Sequence, residues 1–271
     1  MTFPIFAALT VLAANPSFQD VAKKFKPAPL PLSSKDVAVP KTGLTPEEIS
    51  ALGFMKSTSP QLAQLRKWKA TPDQDETLTV WPVASIARPG LTLLLVRFDQ
   101  EMPMSSDAAL FLLSYGPQGA LIDGVGFAGT MSSEAGGAED VGRLTADGAL
   151  TRSGTLSVPM MEEGLPEKLV ITSEHPVKLT ASGKFEVAEE RFTTRDGAFI
   201  DRKSKEELRI FGEKAFYRGN DTKPFQALTR EGDAVRFKKG GKPYGLTWDA
   251  RNALINCKNP DGSVQVFTRE W

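Results

Sequence analysis

Residues 91–96 read Leu-Thr-Leu-Leu-Leu-Val, a run with almost no polar side chain. A strand that is wet on one face alternates apolar and polar residues, whereas a strand covered on both faces has no need to alternate. The run is too short for a typical helix and is bounded by Pro89-Gly90 on one side. We therefore expect a central strand that is covered on both faces.

Similar short runs, rich in β-branched and aromatic residues, continue along the chain from residue 77 to residue 268. Turn signals separate them, among them Asp147-Gly148, Ser182-Gly183 and Asn259-Pro260-Asp261-Gly262. Asp-Gly steps supply the positive φ angles that tight hairpins need. Strands that recur every eight to twelve residues or so predict a mainly β protein, an antiparallel meander forming a sandwich or barrel, in one or two β modules.

The composition divides the chain into five regions. Residues 1–26 read as a signal peptide or apolar N-terminal segment, and residues 27–44 read as a Pro-rich linker, because proline disfavours helix in itself and in the residue before it. The pattern of residues 45–70 predicts a short helical segment before the β region, which we call the neck. An acidic β domain is expected over 71–185, followed by a smaller β sheet or barrel over 186–271.

The neck carries two helix-start signals. Thr45-Pro46 followed by Glu48 is the pattern of a capping box with proline at the first helical position. Ser59-Pro60 repeats the signal, and Leu62, Leu65 and Trp68 then form an apolar stripe. Two short helices are therefore expected before the β region.

The first residues indicate export. Phe3–Ala14 is an uncharged apolar run that is too short to span a bilayer, which needs about 20 residues. Its length is that of the hydrophobic part of a signal peptide, although no Lys or Arg precedes it. The alternative is an apolar strand or helix of the fold. Export predicts a periplasmic or secreted protein without a transmembrane segment.

The counts of charged and chemically reactive residues exclude several functional classes. The chain has 33 Lys and Arg against 33 Asp and Glu, so its net charge gives no general attraction to nucleic acid or anionic lipid. With one Cys and one His, it can form neither an intrachain disulfide nor a site that needs two imidazoles. We expect no metal, no cofactor and no nucleic-acid partner.

Two motifs suggest chemistry that their context disfavours. Gly124-Val-Gly126-Phe-Ala-Gly129 matches a dinucleotide-binding fingerprint, but no helix-forming segment follows it. A glycine-rich strand end or bulge is the preferred interpretation. The acidic segment around Glu134, Glu139 and Asp140 lacks the spacing of a calcium loop and reads as a solvated loop.

Groups that could act in catalysis are few. His175, before Pro176, reads as a turn histidine, and no nucleophile elbow is present. Cys257 reads as a buried strand residue. Acidic pairs such as Glu206-Glu207 point to opposite faces of a strand, so an acid–base pair would have to be assembled across strands. We therefore expect no catalytic residue in the chain. Whether the protein is an enzyme stays an open question, and the sequence favours the answer that it is not.

Basic and aromatic residues interleave near the C-terminus. The predicted ligand-binding residues are Tyr244, Trp248, Lys238 and Arg236. In a small barrel this pattern suits a glycan platform or a single-strand nucleic-acid face, and export argues against the second. A core set of aromatic residues with a charged exterior would produce the same pattern.

The sequence thus favours an exported, non-enzymatic β-rich binding protein that recognises a protein or a glycan. Two alternatives stay open: a carboxylate-based hydrolase whose acid–base pair is assembled across strands, and a structural component of the cell envelope. A cleft with facing carboxylates would favour the hydrolase, and a large apolar surface patch would favour the other two functions.

Overall fold

The computed structural model describes residues 16–57, 59–62, 77–102, 105–133, 136–219, 224–231, 234–239, 241–249 and 254–270. These residues form a mainly β protein with one large sheet and one closed barrel, which confirms the predicted fold class. The two α-helices are short: α1 spans Phe18–Ala22 and α2 spans Pro46–Ala51. Within the described ranges no helix is long and apolar enough to cross a membrane.

The large sheet contains eleven strands in the order β1-β3-β4-β5-β6-β7-β8-β9-β10, with β2 paired to β7 and β11 paired to β9. From β3 onward the order is that of an antiparallel meander, and β1 adds to β3 in parallel. The strands are β1 Lys26–Pro27, β2 Leu32–Ser33, β3 Thr77–Arg88, β4 Leu91–Met102, β5 Ser105–Tyr115, β6 Leu121–Ser133, β7 Gly136–Leu144, β8 Ala149–Pro159, β9 Lys168–Leu179, β10 Phe185–Val187 and β11 Arg191–Phe192.

Strand β4 is covered on both faces, as the sequence predicts. Leu93, Leu94, Leu95 and Val96 are all fully buried. Leu93 and Leu95 belong to a cluster with Leu150 and other residues of β6–β10, so the sheet bends far enough for its two halves to pack on each other. Leu94 and Val96 face the opposite way, into a second cluster formed with the N-terminal helices.

The N-terminal segment covers the outer face of β3–β5. The predicted capping box is present: the Glu48 amide donates to Thr45 Oγ1 at 3.4 Å, and the Thr45 amide donates to Glu48 Oε2 at 3.0 Å. Gly53, at a φ of 73°, ends the helix. The second start signal begins a single 3₁₀ turn, Pro60–Leu62, and residues 63–76 lie outside the described ranges.

The Pro-rich residues 27–44, for which the sequence predicts a linker, lie against the large sheet. Leu32 is buried in the cluster of Leu93, and Leu30 and Val37 pack on the same cluster. The Ser34 hydroxyl accepts a hydrogen bond from the Gly142 amide at 3.1 Å. Two short pairings, β1 with β3 and β2 with β7, fix the segment in place.

The barrel follows the large sheet and starts at Gly197. Eight antiparallel strands close in chain order, and their inner face forms a separate hydrophobic cluster around Phe199, Phe237 and Phe267. The strands are β12 Gly197–Ile200, β13 Glu207–Phe211, β14 Lys214–Arg218, β15 Gln226–Glu231, β16 Ala234–Lys239, β17 Lys242–Asp249, β18 Leu254–Lys258 and β19 Val264–Arg269.

A cation–π contact joins the barrel to the large sheet. The guanidinium of Arg269 on β19 lies 4.0 Å from the ring centroid of Phe192 on β11 and donates a hydrogen bond to the Thr194 carbonyl at 3.1 Å. Burial lowers the pKa of Arg269 to about 10. Arg218 of β14 adds an ion pair to Glu162, 3.7 Å away.

The junction between α2 and the large sheet provides a test of the fold. The Tyr115 hydroxyl is buried and donates to the Leu52 carbonyl at 3.0 Å. We expect Tyr115→Phe to lower the free energy of unfolding by about 1–2 kcal/mol, because the carbonyl loses its donor in a buried site. Urea unfolding measures this change. Tyr244→Phe, at a half-buried position in the barrel, is the control, and equal losses in the two variants would contradict the assigned role of the Leu52 bond.

Candidate functional site

One end of the barrel holds a cavity of about 760 Å³. It lies at the end where β12 connects to β13, β16 to β17 and β18 to β19. Apolar and aromatic side chains form the inner part of its wall: Leu208, Tyr217, Leu228, Phe237, Tyr244, Leu246, Cys257 and Phe267. Polar and charged side chains form the rim: Asp201, Lys203, Ser204, Glu206, Lys239, Lys242, Asn259, Asp261, Ser263 and Gln265.

The alternation of the strands produces this division. Successive side chains of a strand point to opposite faces, so every second residue of a barrel strand faces inward. Along β17 the inward series is Lys242, Tyr244, Leu246 and Trp248, which runs from the rim toward the opposite end of the barrel. The cavity wall therefore becomes less polar with depth.

A hydrogen-bond network crosses the rim. The Glu206 carboxylate accepts from the Tyr217 hydroxyl through one oxygen and from Gln265 Nε2 through the other. Gln265 Nε2 also lies 3.1 Å from Asp201 Oδ2 and 3.1 Å from Ser204 Oγ. An amide nitrogen carries two hydrogens, so three acceptors share its donors.

The network lies at the seam of the barrel, where the last strand, β19, meets the first, β12, and where their pairing is incomplete. Strand β19 pairs with β18 from Val264 to Thr268, but it pairs with β12 only through Phe199↔Arg269 and Ile200↔Thr268. The part of β19 that contains Gln265 thus meets the β12–β13 loop through side chains instead of a strand ladder. Val264 and Val266, which flank Gln265, are exposed and lie at the mouth of the cavity.

The carboxylates at the rim do not form an acid–base pair. Burial alone would raise the pKa of Asp201, but hydrogen bonds from the Lys203 amide, the Ser204 hydroxyl and Gln265 outweigh it and hold the pKa below the ordinary value. A general acid needs a raised pKa to keep its proton near neutral pH. Since Glu206 already accepts a bond at each oxygen, the arrangement is that of a braced rim and not of a proton-transfer site.

Cys257 lies in the inner wall of the cavity and is buried, as the sequence predicts. Burial, together with the charge of Glu206, raises its thiol pKa to about 11, and Lys239 opposes the shift. The thiol is therefore protonated at neutral pH and a poor nucleophile. Its position makes it a natural reporter for anything that enters the cavity.

The predicted ligand-binding residues divide among three places. Tyr244 lines the cavity. Trp248 also faces the barrel interior but lies at the opposite end, where its ring packs edge-on against Phe199 with centroids 5.9 Å apart. Arg236 and Lys238 are exposed, and they flank the inward Phe237 on β16, so they point away from the cavity.

The sequence interpretation missed most of the rim. Glu206, Tyr217 and Gln265 come from three different strands or loops, and no local pattern links them. A signal for the lysines existed: Lys239 and Lys242 flank a Gly-Gly pair in the sequence, and the register of β16 and β17 opposes them on the same face as Phe237 and Tyr244.

A second polar cluster lies on the large sheet. His175 is within β9, not in a turn as predicted, because β9 continues through Pro176 to Leu179. His175 Nε2 lies 3.2 Å from Glu190 Oε1 and 3.5 Å from Ser173 Oγ. A serine–histidine–acid relay uses both ring nitrogens, one for each partner. Here the two partners share one nitrogen, so this cluster is not such a relay.

The remaining motifs fall into strands. Gly124, Gly126 and Gly129 lie inside β6 and pair with β5, and Gly129 also pairs with β7. Glu139 and Asp140 belong to β7, whereas Glu134 lies outside the described ranges. Among the described residues, no group of three His, Cys, Asp or Glu side chains is placed to hold a metal ion.

Comparison of the chain with protein-family models, with curated proteins and with solved structures gives no match.

The seam provides a test of the rim. We expect Gln265→Ala to lower the free energy of unfolding by about 1–3 kcal/mol, because the part-buried carboxylates of Glu206 and Asp201 each lose one of their charge-assisted hydrogen bonds. Amide hydrogen exchange should also become faster along β19. Val266→Ala, an exposed neighbour on the same strand, is the control. If Gln265→Ala leaves both stability and exchange at the control's values, the seam does not depend on this side chain.

Proposed function

We propose that this protein is a non-enzymatic binding protein that holds a small amphiphilic molecule in the open end of its C-terminal barrel. The observation that carries the proposal is the cavity of about 760 Å³, with its apolar inner wall and polar rim. Ligand pockets typically measure roughly 300–1,000 Å³ and combine apolar walls with a few polar groups.

The contrast between the two ends of the barrel supports this proposal. An eight-stranded barrel has room either for its own side chains or for one small ligand. At the end near Trp248, side chains leave a cavity of about 30 Å³, which suits only water. At the open end, the inner wall includes the half-buried Leu228, Tyr244 and Leu246, whose apolar surface a ligand would cover.

The chemistry of the wall favours binding over catalysis. The Cys257 thiol is protonated, the Asp201 carboxylate is ionised, and Glu206 is held by Tyr217 and Gln265. The single histidine lies on the large sheet. The carboxylate-based hydrolase expected as an alternative therefore has no acid–base pair at this site. A cavity of this size also favours a small molecule over the protein or glycan that the sequence suggests.

The binding proposal is tested with N-phenyl-1-naphthylamine, a neutral apolar fluorophore. We expect saturable binding at one site per chain, and slower alkylation of Cys257 when the fluorophore is bound. Leu246→Trp fills the cavity and should weaken binding by at least about tenfold, which corresponds to about 1.4 kcal/mol. Thr247→Trp, the exposed neighbour on β17, should bind like the natural protein.

A second pair of variants tests whether a loss of binding comes from misfolding. Leu228→Trp fills the cavity from β15, and Thr229→Trp is its exposed neighbour. Thermal unfolding confirms that each variant folds before its binding is measured. Absence of saturable binding by the natural protein, or equal losses in inward and outward variants, would refute a ligand site in the barrel.

We further propose that the protein works outside the cytosol, in the periplasm or as a secreted protein. The apolar run Phe3–Ala14 and the single cysteine support export. Intact mass spectrometry of the native protein from fractionated host cells should find a mature chain outside the cytosol that lacks roughly the first 13–15 residues, because α1 starts at Phe18 and Val21 is buried in the fold. A full-length chain in the cytosol would overturn this proposal without affecting the barrel site.

A further inference from the structure

Two side chains divide the interior of the barrel. Phe237 on β16 and Leu246 on β17 line the cavity of about 760 Å³ at the open end, and both also line the cavity of about 30 Å³ at the other end. Phe237 is buried, whereas Leu246 is half-buried. These two side chains therefore lie between the two cavities, and we call them the partition.

The strand register shows how thin the partition is. Leu246 is directly opposite Cys257, and the next inward pair on the same two strands is Trp248 opposite Ile255. Cys257 lines the open cavity, whereas Trp248 and Ile255 line the small one. One layer of side chains thus separates the open cavity from the space beside Trp248.

The register also gives the depth of the open cavity. The inward residues of β17 run from Lys242 at the rim to Leu246 at the partition, four residues further along the strand. A strand rises about 3.3 Å per residue and is tilted by roughly 40° to the axis of such a barrel, so the depth is about 10 Å. An extended hydrocarbon chain advances about 1.25 Å per C–C bond, so about eight carbon atoms span this depth.

The wall above the partition suits a hydrocarbon chain. Leu208, Leu228 and Tyr244 contribute apolar surface to it, and burial keeps the Cys257 thiol protonated and uncharged. Among the described residues that line the cavity, the charged side chains lie at the rim, where the two signs are equally represented: Lys203, Lys239 and Lys242 with Asp201, Glu206 and Asp261. The rim thus favours neither sign of charge, and the apolar wall is the part of the cavity that can discriminate between ligands.

We propose that the ligand of the barrel carries an apolar chain of about eight carbon atoms at its inner end, and that Phe237 and Leu246 set this length. The inference rests on the proposed function of the cavity. A shorter chain leaves part of the apolar wall exposed to water, whereas a longer chain leaves methylene groups in water at the rim. Burial of each methylene group tightens binding by about fourfold, so affinity should stop rising once the chain reaches the partition.

The experiment uses n-alkanols, which share one uncharged head group and differ only in chain length. Each alkanol from butanol to dodecanol competes with N-phenyl-1-naphthylamine for the natural protein. We expect affinity to rise by about fourfold per methylene group as far as about eight carbon atoms, and by less than about twofold per methylene group beyond that length. The uncharged head group keeps the charges of the rim out of the comparison.

Variants assign the length limit to the partition. Leu246→Ala removes most of one side chain from it and opens the space beside Trp248, two residues deeper along β17, so affinity should keep rising as far as dodecanol. Phe237→Leu should move the limit in the same direction. Leu228→Ala is the matched control, because Leu228 lines the open cavity but not the small one, and its limit should stay at about eight carbon atoms.

The outcomes separate this inference from the proposed function. Thermal unfolding shows which variants fold, and Phe237→Leu decides the question if Leu246→Ala does not. If affinity for the natural protein rises steadily to dodecanol, or if the partition variants shift the limit no further than Leu228→Ala does, the partition does not set the length of the ligand, while the cavity remains a binding site. If neither the fluorophore nor any alkanol binds, the proposed function itself fails.

Discussion

Closure is the constraint on which the C-terminal half of this protein depends. A sheet of eight strands has no free edge only if its last strand pairs with its first. Here β19 meets β12 through two residue pairs and then continues beside a loop. Side-chain hydrogen bonds from Gln265 complete the wall where backbone pairing ends. The cavity lies at the end of the barrel where this ladder is incomplete.

The large sheet is constrained by burial instead of closure. Its strand β4 is apolar on both faces, so it needs cover from two directions. The curled second half of the sheet supplies one cover, and the helices and turns of residues 16–62 supply the other. Both clusters consist of closely packed side chains, which makes this module a scaffold. Arg269 then joins the scaffold to the barrel by contacts with Phe192 and Thr194.

Local patterns predicted what local physics determines. The capping box at Thr45, the doubly covered strand at Leu91–Val96 and the hairpin turns depend on a few neighbouring residues, and the structure contains them. The position of His175 was wrong because a proline after it suggested a turn, whereas β9 accommodates Pro176 within its ladder. On β19 the alternation was recognised, but the apolar Val264 and Val266 are exposed, whereas Gln265 between them is half-buried.

The residues of the candidate site were harder to predict because they depend on register and closure. Arg236 and Lys238 differ from Lys239 only by their position in the alternation of β16, yet that position decides which ammonium groups reach the cavity. Glu206, Tyr217 and Gln265 come together only because β19, which follows the β12–β13 loop by sixty or so residues in the sequence, packs beside that loop in the fold. Sequence composition therefore pointed to the C-terminal barrel, whereas the topology determined which residues line its cavity.

The same side chains would support a different chemistry in another arrangement. A carboxylate, a phenol, a thiol and an amine around one cavity are the components of many active sites. In this barrel the phenol donates to the carboxylate, the amine lies over the ring of that phenol, and burial keeps the thiol protonated. Each reactive group is thereby occupied or neutral, while Asp201 stays ionised and held by its loop. The proposed binding function agrees with this wall, in which hydrogen bonds hold the carboxylates and the Cys257 thiol is protonated.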